Sequence, residues 1–200
     1  MHQFRRTIAH ALLLIAGLAL VPSQGRAQQD TTQRMKRYTH NLGYGAALGF
    51  LYAGVDQLQN EPSEWGKGWP GYGNRLASNV GEFVIQESVT DLLSFAMHRP
   101  LTYTHCPCNG TAHKVEWALQ SSVTDVLPNG KRAFAYPRVI GAYAGSFAQA
   151  AWLPEGSTSR TQTALVNGTV SLLIGAGINL FYELRSGGGH ADAKPAVAER

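Results

Sequence analysis

The sequence predicts an all-α fold, a compact bundle of about five helices with glycine-rich helices near the C-terminus. Two observations favour this class. Long segments with apolar residues at helical spacing are separated by short loops rich in Gly and Pro. Alternation of apolar and polar residues does not persist beyond a few positions, and no internal repeat is present. We therefore expect one helical domain over residues 28–185.

The N-terminal segment has the three-part layout of a secretory signal peptide. Arg5 and Arg6 form a basic head, residues 11–21 are apolar, and the small residue Ala27 precedes a polar stretch. The apolar run is too short to span a membrane stably. We expect residues 1–27 to be removed and the protein to be exported to the periplasm or to an outer-membrane-associated place in the cell envelope. An N-terminal anchoring helix is the alternative.

The charge balance argues against nucleic acid as a partner. The chain has 17 Lys and Arg against 13 Asp and Glu, for a net charge of +4. Arg5, Arg6 and Arg26 leave with the signal peptide, so the remaining chain has 14 basic and 13 acidic residues. No Lys/Arg cluster remains that could neutralise a run of phosphates. A membrane, an envelope protein or a second copy of the chain remain as candidate partners.

Proline and glycine place the helix ends. His98 ends the second helix before Arg99-Pro100, Pro128-Asn129-Gly130 ends the third, and Pro137 opens the fourth. Residues 186–200 form a polar, Ala/Pro-rich tail that we expect to be disordered. The predicted helices are 38–59, 75–98, 111–127, 138–153 and 159–184.

Glycine spacing predicts close helix packing. Gly costs about 1 kcal/mol per helical position relative to Ala, so repeated Gly needs an offsetting gain. Gly45 and Gly49, like Gly141 and Gly145, lie four positions apart, which lets two helix backbones approach each other. Gly175, in the fifth helix, is predicted to pack in the same way.

The fifth predicted helix is the main candidate for a membrane span. Residues 170–182 are strongly apolar, although Asn167 and Asn179 interrupt a window of the required ~20 residues. Two interpretations remain open. The last two helices lie against or dip into a membrane, or they form the core of a soluble or peripheral bundle.

Cys106 and Cys108 are the only cysteines, and Pro107 separates them. In an oxidising compartment the pair can form a local disulfide or persist as inert thiols. A small disulfide ring can also be redox-active, and nearby imidazoles allow a zinc or copper(I) site instead. The spacing matches no standard zinc signature. The candidate metal ligands are His105, Cys106, Cys108, His113 and Glu116.

Two carboxylates on the second helix form another candidate cluster. Glu87 and Asp91 fall on the apolar stripe of that helix, where unpaired charges are costly. His113 would meet them if the second and third helices packed antiparallel, which would create a metal or acid–base site. The alternative is a partly solvated face, or carboxylates paired to Arg75, Arg99 or Arg138.

Familiar catalytic motifs are missing: the chain has no Gly-x-Ser-x-Gly, no phosphate-binding Gly-x4-Gly-Lys-Ser/Thr and no His-Glu-x2-His. Several blocks between residues 71 and 183 resemble an uncharacterised family of exported proteins frequent in acidobacteria. That family usually has Asp before the proline where this chain has Arg99. The resemblance implies export and a shared helical core. The blocks are residues 71–77, 98–103, 111–113, 137–145 and 175–183.

These observations together predict an exported, membrane-associated cell-envelope protein with a structural or interaction role. No catalytic residue and no cofactor emerges from the sequence, which favours a protein that is not an enzyme. The alternative is a metal- or thiol-dependent envelope protein that uses the region of Cys106, Cys108 and His113.

Overall fold

The computed structural model describes residues 25–100, 102–154 and 159–185. Within them the fold is all-α, which confirms the predicted class, with five α-helices, one short 3-10 helix and one small hairpin. The predictions for residues 1–24 and 186–200 lie outside the described part. The elements are α1 Gly25–Gln59, the 3-10 helix Ser63–Trp65, α2 Trp69–Ala96, α3 Thr111–Gln120, β1 Thr124–Val126, β2 Arg132–Phe134, α4 Tyr136–Trp152 and α5 Arg160–Arg185.

The chain divides into two compact units, Met1–Thr39 and His40–Arg200. In the second unit α2 packs against both α1 and α4, and α5 packs against α4. Side-chain hydrogen bonds show that α1 and α2 run antiparallel: Asn41, early in α1, donates to Glu87 of α2, whereas Asp56, late in α1, accepts from Asn79, which comes earlier in α2. We call residues 40–59 of α1 together with α2, α4 and α5 the helical bundle.

Glycine allows α4 to lie directly on the backbone of α2. A Cβ added at Gly145 would be 2.8 Å from the Glu82 carbonyl oxygen and 3.0 Å from Gln86 Cβ. A Cβ at Gly141 would overlap the Thr90 side chain. Since real Cβ atoms do not approach carbonyl oxygens so closely, side chains at these two positions would force the helices apart.

Glycine also allows close contact between α1 and α2. One of the predicted packing glycines, in α5, makes no such contact. A Cβ at Gly45 would overlap the Phe83 ring, and one at Gly49 would be 2.9 Å from Val80 Cγ2. At Gly175 the added atom would meet nothing within 4 Å, so the expectation of tight packing there is wrong. Gly168 is the glycine of α5 that lies against a neighbour, the Tyr143 ring of α4.

The region after Gln120 differs from the predicted helix. The third helix stops at Gln120, and the chain continues into an antiparallel hairpin with register Thr124↔Phe134, Asp125↔Ala133 and Val126↔Arg132. The turn between the strands contains Asn129 and Gly130, and Gly130 adopts a positive φ of 77°. Asn-Gly between two short segments is a strong hairpin signal, and here it overrides the helical pattern.

The loop predicted for residues 60–74 is shorter than expected. Its first part contains the 3-10 helix, whereas α2 already begins at Trp69. Pro70 lies in the first turn of α2, where its missing N–H leaves no hydrogen bond unmade. Proline and glycine therefore mark the start of a helix here as well as the loop before it.

Candidate functional site

Many large apolar side chains of the helical bundle are exposed. Leu51, Leu58 and Leu173 are 68%, 88% and 60% exposed. Soluble monomers rarely leave contiguous apolar surface of this kind uncovered. We call the following exposed side chains the outer face: Tyr44, Phe50, Leu51, Tyr52, Val55 and Leu58 of α1, Leu92 and Phe95 of α2, Ile140 and Phe147 of α4, and Leu165, Val166, Val170, Leu173, Ile178, Phe181, Tyr182 and Leu184 of α5.

The interior of the bundle is built from small and polar residues instead. Among the described residues, every fully buried hydrophobic side chain is an alanine. Gln149 of α4, which is buried, donates to Ser78 Oγ at 3.3 Å and to Asn79 Oδ1 at 3.1 Å, and it accepts from Asn167 Nδ2 at 3.0 Å. One amide therefore links three helices, because α2, α4 and α5 each contribute to its hydrogen bonds.

The carboxylates of α2 face this interior and are hydrogen-bonded there. Glu82 accepts a 2.6 Å hydrogen bond from the buried Ser146 hydroxyl, and Glu87 accepts one of 3.0 Å from Asn41 Nδ2. The predicted meeting of Glu87 and Asp91 with His113 does not occur. The third helix packs against α5 rather than α2, and the His113 ring contacts the Asn109 carbonyl oxygen at 3.2 Å.

Arg75 is completely buried at the start of α2 and holds the preceding loop. Its guanidinium donates to three backbone carbonyl oxygens, those of Glu61, Pro62 and Gly66, at 2.7–2.9 Å. It also donates to Gln57 Oε1 at 2.8 Å. The expectation that Arg75 pairs with Glu87 or Asp91 is therefore wrong, because these acceptors fix the guanidinium in the loop at the beginning of α2.

Within the described residues, α5 is the one helix whose length and composition suffice to cross a membrane. Its most apolar 18-residue window has a mean hydropathy of 1.6, and only 17% of that window is buried. A core helix of a soluble protein would be mostly buried. The low burial of α5 thus agrees with its share of the outer face.

Residues 102–135, which we call the cap, join α2 to α4 and carry exposed charged side chains such as Glu116 and Lys131. Asp125 of β1 is buried and accepts a 2.8 Å hydrogen bond from Arg138 Nη2. Arg138, which was one of the arginines considered as a partner of Glu87 and Asp91, is therefore paired with Asp125 instead. The Arg132 guanidinium lies 3.8 Å from the centre of the Trp117 ring. Ion pairing and a cation–π contact stabilise the cap, and its surface carries the charged groups.

Cys106 and Cys108 form a disulfide in the loop before α3. The buried Glu183 carboxylate near the end of α5 anchors this loop: its Oε1 accepts the Cys106 N–H at 2.9 Å and lies 3.1 Å from His105 Nδ1. Lys114 donates to the Glu183 carbonyl oxygen at 3.0 Å. One acidic side chain thereby fixes the disulfide loop to the bundle.

Tyr103 completes the surroundings of Glu183. Its hydroxyl oxygen is buried and makes no hydrogen bond of good geometry. Burial, together with the neighbouring Glu183 carboxylate, raises the pKa of Tyr103 well above its usual value. Both effects disfavour the phenolate, so Tyr103 stays protonated beside the carboxylate at neutral pH.

The five candidate metal ligands are not brought together. Cys106 and Cys108 are bonded to each other, His105 contacts Glu183, and Glu116 accepts a hydrogen bond from Gln120. His113 faces the Asn109 carbonyl oxygen. Among the residues that the structure describes, no three His, Cys, Asp or Glu side chains form a group that could hold a metal ion.

Sequence reasoning missed Glu183 and Gln149. Glu183 is close to the cysteines only through the packing of α5 on the cap, more than 70 residues along the chain. Residues 161–182 contain no Asp, Glu, Lys or Arg, and Glu183 is the first charged residue after them. That position was the only sequence signal for Glu183. Comparison with known proteins adds no assignment: no family model, no curated protein and no solved structure matches this chain.

Proposed function

We propose that this chain is an exported cell-envelope protein whose helical bundle is embedded in a membrane, where it has a structural or interaction role. The observation that carries the proposal is the reversed distribution of side chains in the bundle. Many large apolar side chains, such as Leu58, Leu173 and Phe181, are exposed, whereas the only fully buried hydrophobic side chains of the described residues are alanines, which lie beside buried Ser, Gln, Arg and Glu. A lipid environment favours this arrangement because the hydrocarbon replaces an apolar protein core.

The lengths of the helices are compatible with a bilayer. The 26 residues of α5 correspond to about 39 Å, and the 17 residues of α4 to about 25 Å, against a hydrocarbon core of about 30 Å. Three long stretches contain no Asp, Glu, Lys or Arg: residues 40–55, 139–153 and 161–182. These stretches belong to three of the four helices of the bundle.

The remaining helix, α2, carries charges, but their positions support the same proposal. Glu82 and Glu87 are hydrogen-bonded to neighbouring helices, and Arg75 is enclosed by carbonyl oxygens. Ionisable groups in membrane helices face the bundle interior and have partners there, since exposure to lipid is expensive. Close helix contact through glycine, as at Gly141 and Gly145, is also a common mode of packing in membranes.

A structural or interaction role agrees with the chemistry of the described side chains. The polar groups of the bundle interior are used in hydrogen bonds between helices, as at Gln149 and Ser146. The exposed apolar side chains of the outer face suit contact with lipid or with apolar faces of other membrane proteins.

Extraction of membranes at alkaline pH tests the proposal. We expect the protein to remain in the membrane pellet after sodium carbonate treatment and to be released by detergent. Recovery in the carbonate supernatant, as a monomer or as an oligomer that covers its own apolar faces, would contradict membrane embedding.

The export part of the proposal has a separate test. We expect mass spectrometry of the purified protein to show an N-terminus near Gln28, because Ala27 ends the predicted signal peptide. A mature protein that retains Met1–Ala27 would contradict cleavage.

A further inference from the structure

We infer that the bundle carries an aromatic anchor, formed by Trp65, Trp69, Tyr72 and Trp152, whose partner is the carbonyl and headgroup region of a lipid bilayer. Three of the four tryptophans of the chain belong to it. Trp and Tyr concentrate at the boundary between hydrocarbon and water, because the aromatic ring suits the apolar side and its N–H or O–H suits the polar side. The inference rests on the proposed membrane embedding, and it adds where along the bundle one boundary lies.

The tryptophans of the anchor lie at the same end of the bundle. Trp152 is the last residue of α4, whereas Trp69 is the first residue of α2, and the 3-10 helix that contains Trp65 lies just before α2. Trp152 Nε1 donates to Ser78 Oγ at 2.9 Å, and the Trp65 and Trp152 side chains line one open cleft together with Ser78. The end of α4 and the loop before α2 are thereby placed side by side.

Trp69 is the most exposed member of the anchor, at 85%. Its ring contacts the Tyr72 ring, with 6.2 Å between the ring centres, and the Tyr72 hydroxyl donates to the Phe50 carbonyl oxygen at 3.2 Å. Trp69 therefore projects from an ordered helix start. Folded proteins bury most of the area of their tryptophans, so an indole exposed to this degree is expected to meet another apolar surface. The hydrocarbon side of a bilayer boundary supplies that surface.

The anchor lies where the charge-free part of α1 ends. Gln57 Nε2 donates to the Gly68 carbonyl oxygen at 3.3 Å, which places the start of α2 beside the last turn of α1. Residues 40–55, before that turn, contain no Asp, Glu, Lys or Arg. The loop after it exposes three charged side chains, those of Glu61, Glu64 and Lys67. Trp69 therefore lies at the border between an apolar segment and an exposed charged loop, which is the level that an interfacial indole occupies.

Trp117, the fourth tryptophan, is engaged inside the cap. Its indole N–H donates to the Thr104 carbonyl oxygen at 2.9 Å, and the Arg132 guanidinium lies 3.8 Å from the centre of its ring. Both the polar and the apolar part of this side chain thus have partners within the protein. Trp117 is therefore the matched control for Trp69, because the same residue type occurs once with internal partners and once exposed at the end of the bundle.

Fluorescence quenching by brominated lipids tests the inference, since bromine quenches an indole only on close contact. The full-length protein is reconstituted into phosphatidylcholine vesicles brominated either near the carbonyl groups or near the chain ends. We expect the first lipid to quench the wild type more strongly. Trp69→Phe, an exposed substitution that should still fold, is expected to lose roughly a third to a half of this quenching, because Trp69 is the most exposed of the three tryptophans that share it. Trp117→Phe should retain it.

The difference between the wild type and Trp69→Phe gives the contribution of Trp69, and three results for it would overturn the inference alone. Stronger quenching by the lipid brominated near the chain ends would place Trp69 in the hydrocarbon. Quenching by aqueous iodide but by neither lipid would place it in water. Protection from all three quenchers would mean that protein covers it. Failure of membrane embedding is distinguished by recovery of the protein in the carbonate supernatant, which would overturn both proposals.

Discussion

The helical bundle and the cap place their charged groups differently, although alanine is the fully buried hydrophobic residue in both. In the bundle, alanine and hydrogen-bonded polar groups such as Gln149 are inside, while leucines such as Leu173 are outside. In the cap, the charged groups stabilise the surface, and the buried Asp125 is paired with Arg138. This placement of the charged groups is what we expect if the bundle, as proposed, lies in an apolar environment and the cap in water.

The largest effect is expected at Arg75. Arg75→Met would leave the carbonyl oxygens of Glu61, Pro62 and Gly66 buried without their donor. We expect a loss of about 3–5 kcal/mol in the free energy of unfolding, since each buried acceptor left unpaired is costly. Thermal unfolding in detergent measures it. Lys67→Met, on the exposed side of the same loop, is the control and should change little. A stable Arg75→Met protein would mean that the hydrogen bonds from Arg75 to this loop are not structurally important.

The next effect tests the glycine contact between α2 and α4. Gly145→Leu introduces a side chain where a Cβ alone would be 2.8 Å from the Glu82 carbonyl oxygen, so we expect about 3 kcal/mol of destabilisation. Gly177→Leu is the matched control in α5, because a Cβ there meets nothing within 4 Å. That control should be neutral or stabilising by up to about 1 kcal/mol, as helix propensity predicts. Equal behaviour of the two variants would refute tight packing.

A substitution on the outer face distinguishes lipid from water directly. Leu173→Lys should reduce membrane insertion, at a cost of about 2.5–3.5 kcal/mol for a charge at the bilayer centre. Leu119→Lys is the control, since Leu119 is comparably exposed but lies in the cap. The yield in the membrane fraction measures both. If the outer face were in water, Leu173→Lys would change neither the yield in the membrane fraction nor the stability, and this result would contradict membrane embedding.

The ion pair of the cap should contribute less. Asp125→Asn weakens the 2.8 Å contact with Arg138, and we expect a loss of about 1–2 kcal/mol. Glu116→Gln, on exposed α3, should stay within about 0.5 kcal/mol of the wild type. Thermal unfolding of both variants measures the two losses. A larger loss for the control than for Asp125→Asn would show that the buried pair is not what stabilises this region.

The smallest effect is expected for the disulfide. The bond closes so short a loop that it hardly restricts the unfolded chain, so Cys106→Ser/Cys108→Ser should fold with nearly the same melting temperature. Nonreducing electrophoresis of the wild type should show a monomer, because the bond is intramolecular. A covalent dimer would contradict the local pairing.

Local signals along the chain were sufficient for the all-α class and for most helix ends. Pro137 lies in the first turn of α4, as predicted. The predicted end of α3 was wrong, because the helical pattern after Gln120 competes with the turn signal of Asn129-Gly130, and only pairing of the two strands decides between them.

The candidate site depended far more on tertiary structure. The sequence by itself determined that Cys106 and Cys108 are neighbours and that Gly141 and Gly145 lie on one side of a helix, because both follow from local spacing. Which surface each helix shows to its surroundings, and that Glu183 anchors the disulfide loop, was decided only by tertiary packing. Apolar periodicity identifies a stripe on a helix, but the same stripe can face a protein core or lipid.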